Sequence, residues 1–560
     1  MRNLMKELRV GLRQYPRLHG ALRVGKAAFA RVHPSEIQHQ HRRRAERIQT
    51  IEQQVQRIEA GRRVDDPAPV LFLNASSDPF TLSFNIATGL VASWGLRVAG
   101  QPVTYLVCQG GIGKCVKGTD RAHPEAPPPC SSCVKLHSTW YPAERSVALL
   151  PASNANRELT ARLGTLTLDE LAAYRYGDLN IGGLCLPSAR WILRRSDLPA
   201  DPAAQPVLAS YVASAIGLAR QLDELFRATR PRALVAFNGT FFPEATARAV
   251  ALARKIPVVT YEAGYRTLSA FFTSGVATEY PVHIPESFHM GPAEDAELDQ
   301  YLARRTQGDF TMGGVRFWPE MKGVSPELKA KVEAHRQVVT VFTNVVYDTS
   351  QTYVNTIFGG MFEWLSETLK LAAQYPDTLF IVRAHPDELR LGRESQEPIE
   401  QWLGRNGPRA LKNLVFIPPT EYVSSYELIG LSRFCIVYNS TVGLEAVLLG
   451  VPVLTGGLTR YAQAGAAHSP ADGDAYVKLL GEFLRDGPPP IPRPQLQAAR
   501  RYMYYSIFRV GLNLSAFIEP LEPSEYTVGP IEAEDLHPDR SAEMGIIYDG
   551  IIHDRPFCYA

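Results

Sequence analysis

Two short stretches in the last third of the chain pair polar, chemically useful side chains with strongly apolar approaches. In the first, Leu379-Phe-Ile-Val runs into Arg383-Ala-His385-Pro386. Such a run reads as a buried strand, so Arg383 and His385 should emerge at the end of a sheet, with Pro386 excluding helix just before it. In the second, Cys435-Ile-Val-Tyr runs into Asn439-Ser440-Thr441, followed by the helix-forming Val442-Gly-Leu-Glu-Ala-Val-Leu-Leu. Ser440 or Thr441 is expected to cap that helix, and a helix start of this kind can receive phosphate oxygens. Glu445, one turn on, suits either a ribose hydroxyl or electrostatic capping. A cation-and-imidazole strand end beside a hydroxyl-rich helix start makes a coherent phosphate or pyrophosphate pocket. No P-loop sequence GxxxxGK[ST] is present. The tetrapeptide Arg-Ala-His-Pro recurs at 121–124 among glycines and prolines, so those four letters carry little alone.

A carboxylate at a third strand end completes the chemistry. Val258-Val-Thr-Tyr-Glu262-Ala-Gly264 places Glu262 where a strand stops, and Gly264 allows a tight turn or a close substrate approach. A carboxylate so placed can serve as a general base toward a hydroxyl, and Glu262 is the candidate; a salt bridge to Arg266 or a capping contact is its simpler role. Asn238, closing the apolar run Leu234-Val-Ala-Phe, is expected to orient an acceptor in the same cleft, with Asn74 in an analogous position. His468 reads as an ordinary surface histidine.

The elements that must position these groups alternate along the chain. Strands are expected at 68–75, 102–108, 232–239 and 256–262, separated by helical stretches such as 85–94 and 207–228. The same rhythm resumes with Val338–Asp348, then the runs ending at His385, around Val415 and at Asn439. This order indicates parallel sheets covered by helices on both faces, with ligands at the carboxyl ends of the strands. Residues 276–336 look irregular and hold the crossing. The expected divisions are 1–66, a basic helical extension; 67–320, an acceptor-side α/β domain with a cysteine-bearing insertion; 321–520, a nucleotide-donor α/β domain; and 521–560, a tail. The chain's 560 residues exceed one comfortable core.

With a formal charge of +2, nucleic acid is not an expected partner. Residues 1–60 nevertheless carry thirteen Lys and Arg against five Glu and no Asp. They fit a basic arm, either solvated or lying on an anionic membrane surface from the cytoplasmic side. The polar helix former after it, around 37–61, suits a spacer or a homodimer contact. No apolar run approaches a membrane span.

Four cysteines stand apart: Cys108, Cys115, Cys130 and Cys133, with His137 as an alternative ligand. Their spacing suits structural zinc or an iron–sulfur cluster, while the closing CxxC suits redox chemistry or a reduced pair.

Taken together, Arg383–Pro386 and Asn439–Leu454 resemble the C-terminal half of bacterial capsule-polysaccharide glycosyltransferases related to β-Kdo transferases. The resemblance implies a GT-B-like α/β fold of two facing Rossmann-like parallel-sheet domains, with an N-terminal helical extension in this chain. It implies a nucleotide-sugar donor, CMP-Kdo foremost, held by His385-Pro386 and Ser440-Thr441, with Asn439 beside them. It also implies a glycan or lipid-linked glycan acceptor facing Glu262. A 3-deoxy-2-ulosonic donor would make Arg383 an intelligible partner for its carboxylate. Two other classes fit the pattern: a CDP-glycerol or CDP-ribitol polyol-phosphate transferase, and a non-catalytic polysaccharide-assembly protein.

Overall fold

The computed structural model describes residues 34–61, 67–77, 81–150, 155–308, 321–390, 392–407, 411–522 and 525–560. The basic arm expected at the start of the chain lies outside the described residues up to Pro34.

The first domain is built on seven strands: β1 (Val70–Leu73), β2 (Val103–Cys108), β3 (Ser146–Leu149), β4 (Ala233–Phe237), β5 (Val258–Ala263), β6 (Ser269–Thr273) and, far along the chain, β12 (Leu512–Asn513). Their order is β12-β6-β5-β4-β1-β2-β3. β1 to β5 are parallel, and β6 and β12 join antiparallel. β1 and β4 are buried along their whole length, which is why they read as unbroken apolar runs.

The second domain holds five parallel strands: β7 (Gln337–Phe342), β8 (Thr378–Arg383), β9 (Leu414–Ile417), β10 (Phe434–Val437) and β11 (Val453–Thr455). Their order is β11-β10-β7-β8-β9. Each sheet starts in its middle, runs to one edge, and then returns to the other side. The crevices therefore open at the carboxyl ends of β1 and β4 in one sheet and of β7 and β10 in the other. This is the GT-B-like pair of α/β domains that the sequence implies.

β7 ends earlier than expected. Its β-branched residues suggest a strand to Asp348, but pairing stops at Phe342 and the chain leaves the sheet over Thr343–Asp348. The stretch expected to be irregular contains the helices Pro292–Thr306 and Pro326–Glu333. The longer one buries only Leu298 and the charged Arg305, so its apolar periodicity is weak.

The helices Pro34–Ala60 and Ala542–His553, far apart along the chain, both close the first domain. In the helix Pro34–Ala60, Ile48, Ile51 and Val55 recur at helical spacing and enter its core. Glu52 and Glu59 of that helix meet the buried Arg97 at 2.7 and 2.6 Å. The helix is thus packed on its own domain rather than standing as a spacer. After the helix Arg493–Tyr504 and a wide π turn at Tyr505–Arg509, the chain crosses back. Met544, Ile547 and Ile551 of the helix Ala542–His553 then join the same core as Trp94 and Leu96.

Candidate functional site

At the first crevice, β5 delivers Glu262 and β4 delivers Asn238. Asn238 adopts a left-handed conformation (φ 63°), which asparagine tolerates better than most residues. In that pose its Oδ1 accepts from the N–H groups of Thr240 and Phe241 at 3.0 and 3.2 Å. Its Nδ2 donates to Glu262 at 2.9 Å. Asn85 adds a second donor at 3.3 Å, and the Ala263 N–H a third at 2.9 Å. Asn85 is held there because the Tyr261 hydroxyl donates to its carbonyl at 3.1 Å. Burial raises the Glu262 carboxyl above the usual range, and the three donors only partly offset this. Asn238 thus positions the carboxylate. Gly264 closes the β5–β6 hairpin, where a Cβ would stand 2.4 Å from the Ser269 hydroxyl. Asn74 donates to the Tyr261 hydroxyl at 3.2 Å and belongs to the frame.

A cleft of about 290 Å³ opens at the carboxyl ends of β7, β8 and β10. It gathers Arg383, His385, Pro386, Asn439, Ser440, Thr441 and Glu445, the second-domain residues singled out from the sequence. His385 Nδ1 accepts from the Asp387 N–H at 3.1 Å, so the neutral ring carries its proton on Nε2. Burial lowers its pKa and keeps it neutral at pH 7, against the pull of Asp387 and Asp348. Asp348, on the loop after β7, acts electrostatically on His385 and on Glu262 alike. It is a charged group common to both crevices.

Three expectations change in detail. Arg383 is buried and donates to the main-chain carbonyls of Ala384, Pro418 and Glu421 at 3.1, 2.8 and 2.9 Å. It shapes the cleft floor by tying down the loop after β9, a role set by backbone geometry that no local spacing signals. Thr441 stands at the start of the helix Val442–Leu448 without a side-chain cap bond. Ser440 Oγ instead accepts from the Val442 N–H at 3.4 Å. Glu445 is engaged by Arg305 at 2.8 Å and by the Tyr426 hydroxyl at 2.6 Å. This buried ion pair is read from neither local sequence because its partners are far apart along the chain.

Sequence reasoning did not find Trp191, Asn344, Tyr347, Asp348, Gln351, Arg393 or Arg460, which also line the cleft. The turning point between β7 and β10 was the available signal for Asn344–Gln351. Nor did it find Glu244, whose carboxylate accepts from the N–H groups of Ala75 and Ser76 at 2.7 and 2.8 Å and from the Ser76 hydroxyl at 2.5 Å. His468 packs edge-on against Phe483, 5.1 Å between ring centres, as part of the fold.

The metal centre expected at Cys108, Cys115, Cys130 and Cys133 is not assembled. Among the described residues, no three His, Cys, Asp or Glu side chains are grouped to hold a metal ion. Cys133 Sγ lies 3.8 Å from His137 Nε2. Burial pushes the Cys115 thiol up to about 12 and that of Cys133 up to about 11, so both are protonated near neutrality. All four cysteines are free. No helix among the described residues is long and apolar enough to cross a membrane.

Residues 320–473 match the family described as "Capsule polysaccharide biosynthesis protein". The match spans β7 to β11 of the second domain, and there it bears out the resemblance to capsule-polysaccharide biosynthesis proteins. No curated protein matches the chain. Among solved structures, a β-Kdo 2,4 transferase, KpsC of Thermosulfurimonas dismutans, aligns at 14% identity over 50% of this chain and 80% of that one, with a TM-score of 0.34. The β-Kdo 2,7 transferase of the same organism aligns at 12% identity over 56% and 86%, with a TM-score of 0.32. A UDP-GlcNAc 2-epimerase from Neisseria meningitidis, bound to UDP-GlcNAc, aligns at 18% identity over 52% and 79%, with a TM-score of 0.25. Likeness at this level fixes neither activity nor ligand.

Proposed function

We propose that this chain is a nucleotide-sugar-dependent glycosyltransferase of capsule or surface-polysaccharide assembly. CMP-Kdo is the leading donor, and a glycan or lipid-linked glycan presented at the cytoplasmic face of the membrane is the acceptor. The observation that carries the reading is the pairing of two strand-end sites. A neutral His385 beside Ser440 and Thr441 lines one cleft, and a carboxylate with a raised pKa, Glu262, lies within electrostatic reach of the same Asp348.

In this reading the donor phosphate lies against His385 and the Asn439–Thr441 segment. The Nε2–H of His385 donates to a phosphate oxygen that gains charge as the glycosidic bond breaks. Glu262 takes the proton from the acceptor hydroxyl, and its pKa, raised by burial, brings it closer to that of a base matched to neutral pH. Asn238 and Asn85 hold it in place through its oxygens.

The test is a turnover screen with freshly generated CMP-Kdo, other nucleotide sugars, CDP-glycerol and CDP-ribitol. Lipid-linked glycan acceptors are supplied, and both acceptor mass gain and free nucleotide are read. Glu262→Gln is expected to lower kcat by about 10²- to 10⁴-fold, the usual worth of a general base. His385→Ala should weaken donor use while the protein stays folded. Turnover with a CDP-polyol alone would reassign the chemistry to polyol-phosphate transfer. Glycan binding without nucleotide consumption would reassign the protein to assembly.

A further inference from the structure

Where the two domains meet, the helix Ile181–Leu193 of the first ends beside the loop 392–398 of the second. The seam is tightly made: Glu397 accepts from the N–H and hydroxyl of Ser196 at 2.6 and 3.1 Å, and the Gln396 N–H donates to the Arg194 carbonyl at 2.9 Å. Inside it, cations collect on aromatic rings. The Arg194 guanidinium sits 4.0 Å from the Trp191 ring centre and 5.1 Å from that of Tyr347. Arg393 lies 5.7 Å from Trp191, and the Lys117 ammonium 5.1 Å from it. Trp191, Tyr347 and Arg393 are also walls of the cleft that holds His385.

The neighbouring arginines have carboxylate partners: Arg195 with Asp201 at 3.5 Å, and Arg390 with Asp387 at 3.3 Å. Among the described residues Arg194 and Arg393 have none at ion-pair distance. Arg194 is only 7% exposed, and its side chain donates to the Trp191 carbonyl at 2.7 Å. Burial, with Arg393 and Arg121 nearby, pulls its pKa down to about 10. Asp387, Asp348 and Glu394 act on this cluster only from beyond contact. The buried Arg194, held by ring faces and a main-chain carbonyl rather than by a carboxylate, and the exposed Arg393 beside it keep their charge available to an incoming anion. The indole is packed edge-on against Phe241, 5.3 Å between ring centres, which fixes the platform.

We propose that this seam is an anion-recognition subsite for the acceptor, reading a phosphate or carboxylate borne by the glycan. Arg194 and Arg393 form its core, and the cysteine-bearing loop supplies Lys117 and Arg121 from the acceptor-side domain. This inference rests on the glycosyltransferase reading for the word acceptor, while the anion site itself stands on its own geometry. It also gives the long loop between β2 and Cys130 a purpose: carrying basic residues to the cleft.

The experiment uses the full chain without nucleotide. Glucuronic acid and glucose 1-phosphate serve as carboxylate and phosphate probes, and glucose as the neutral control, with binding followed by saturation-transfer NMR. At least one anionic sugar should bind and glucose should not. Arg194→Gln and Arg393→Gln should each weaken that binding by about tenfold, the scale of one charge-assisted contact, with Lys versions retaining part of it. Lys117→Gln, in a loop, provides the test should Arg194→Gln fail to fold. CMP and UDP affinities should change by less than about threefold in Arg194→Gln and Lys117→Gln, neither of which lines the donor cleft, and anionic-sugar binding should survive His385→Ala. Equal binding of glucose, unchanged anionic-sugar affinity in the variants, or a parallel loss of nucleotide binding in Arg194→Gln or Lys117→Gln would each overturn the proposal. A failed turnover screen with intact anionic-sugar binding would instead overturn only the catalytic reading.

Discussion

Glu244 in the first domain and Glu388 in the second occupy matching places. Each follows a strand of its sheet by a few residues, each is almost wholly buried, and in each burial pushes the carboxyl up to about 7. Their surroundings differ. Glu244 receives three donors from Ala75 and Ser76, so the loop after β1 is pinned through both carboxylate oxygens. Glu388 receives one, the Ile399 N–H at 2.9 Å, and its Oε2 has no partner among the described residues. The loop that Glu388 holds carries Arg393 and Glu397, the residues that reach the other domain. The loop after β1 is thus tied to Glu244 by three bonds, while Glu388 ties its own loop by one.

Breaking the two anchors should expose that difference. Glu244→Ala strands three donors in the interior and is expected to cost about 3–5 kcal/mol of stability, in the range of a broken buried network. Glu388→Ala strands one and should cost about 1–2 kcal/mol. Urea unfolding of both variants compares them directly, and equal costs would erase the distinction.

A second comparison uses pH. Both folded carboxyls bind their protons more tightly than the unfolded chain does. Their contribution is therefore fully present below about pH 4.5 and is lost as pH rises toward about 7. Glu244→Gln or Glu388→Gln should flatten the wild-type decline across that window, each by about 3 kcal/mol at most. The measurement is denaturant unfolding at pH 4.5, 6 and 8. A decline that survives the double glutamine variant would assign it to other groups.

The smallest effect is expected at Thr441. Because its side chain makes no cap bond, Thr441→Ala should change stability by less than about 0.5 kcal/mol, against about 1 kcal/mol for a working cap. Thermal unfolding resolves the two values.

What the sequence revealed follows the range of the interactions. β8 and β10 are short apolar runs with polar residues directly after them, so the places of His385 and Ser440 were legible. Glu262 was legible for the same reason. Arg305 with Glu445, and Glu244 with Ser76, pair across long stretches of chain, and nothing in their neighbours' spacing announces the partner. Arg383 was found as a residue but not in its role, because main-chain carbonyls leave no mark in a sequence. The cysteines are less legible: their spacing suggested a metal, and among the described residues no three ligands are grouped to hold one, while burial raises the thiols of Cys115 and Cys133.

The return of the chain to the first sheet has a consequence for synthesis. Trp94 and Leu96 are made early, but their packing partners Met544, Ile547 and Ile551 come hundreds of residues later. The second domain, continuous from β7 to β11, can close while translation proceeds. The first cannot finish its core until the strand β12 and the helix after it have left the ribosome. The sheet that carries Glu262 is then the last part of the protein to set, and a ribosome stalled after β11 would release a closed second domain beside an open, apolar half-sheet.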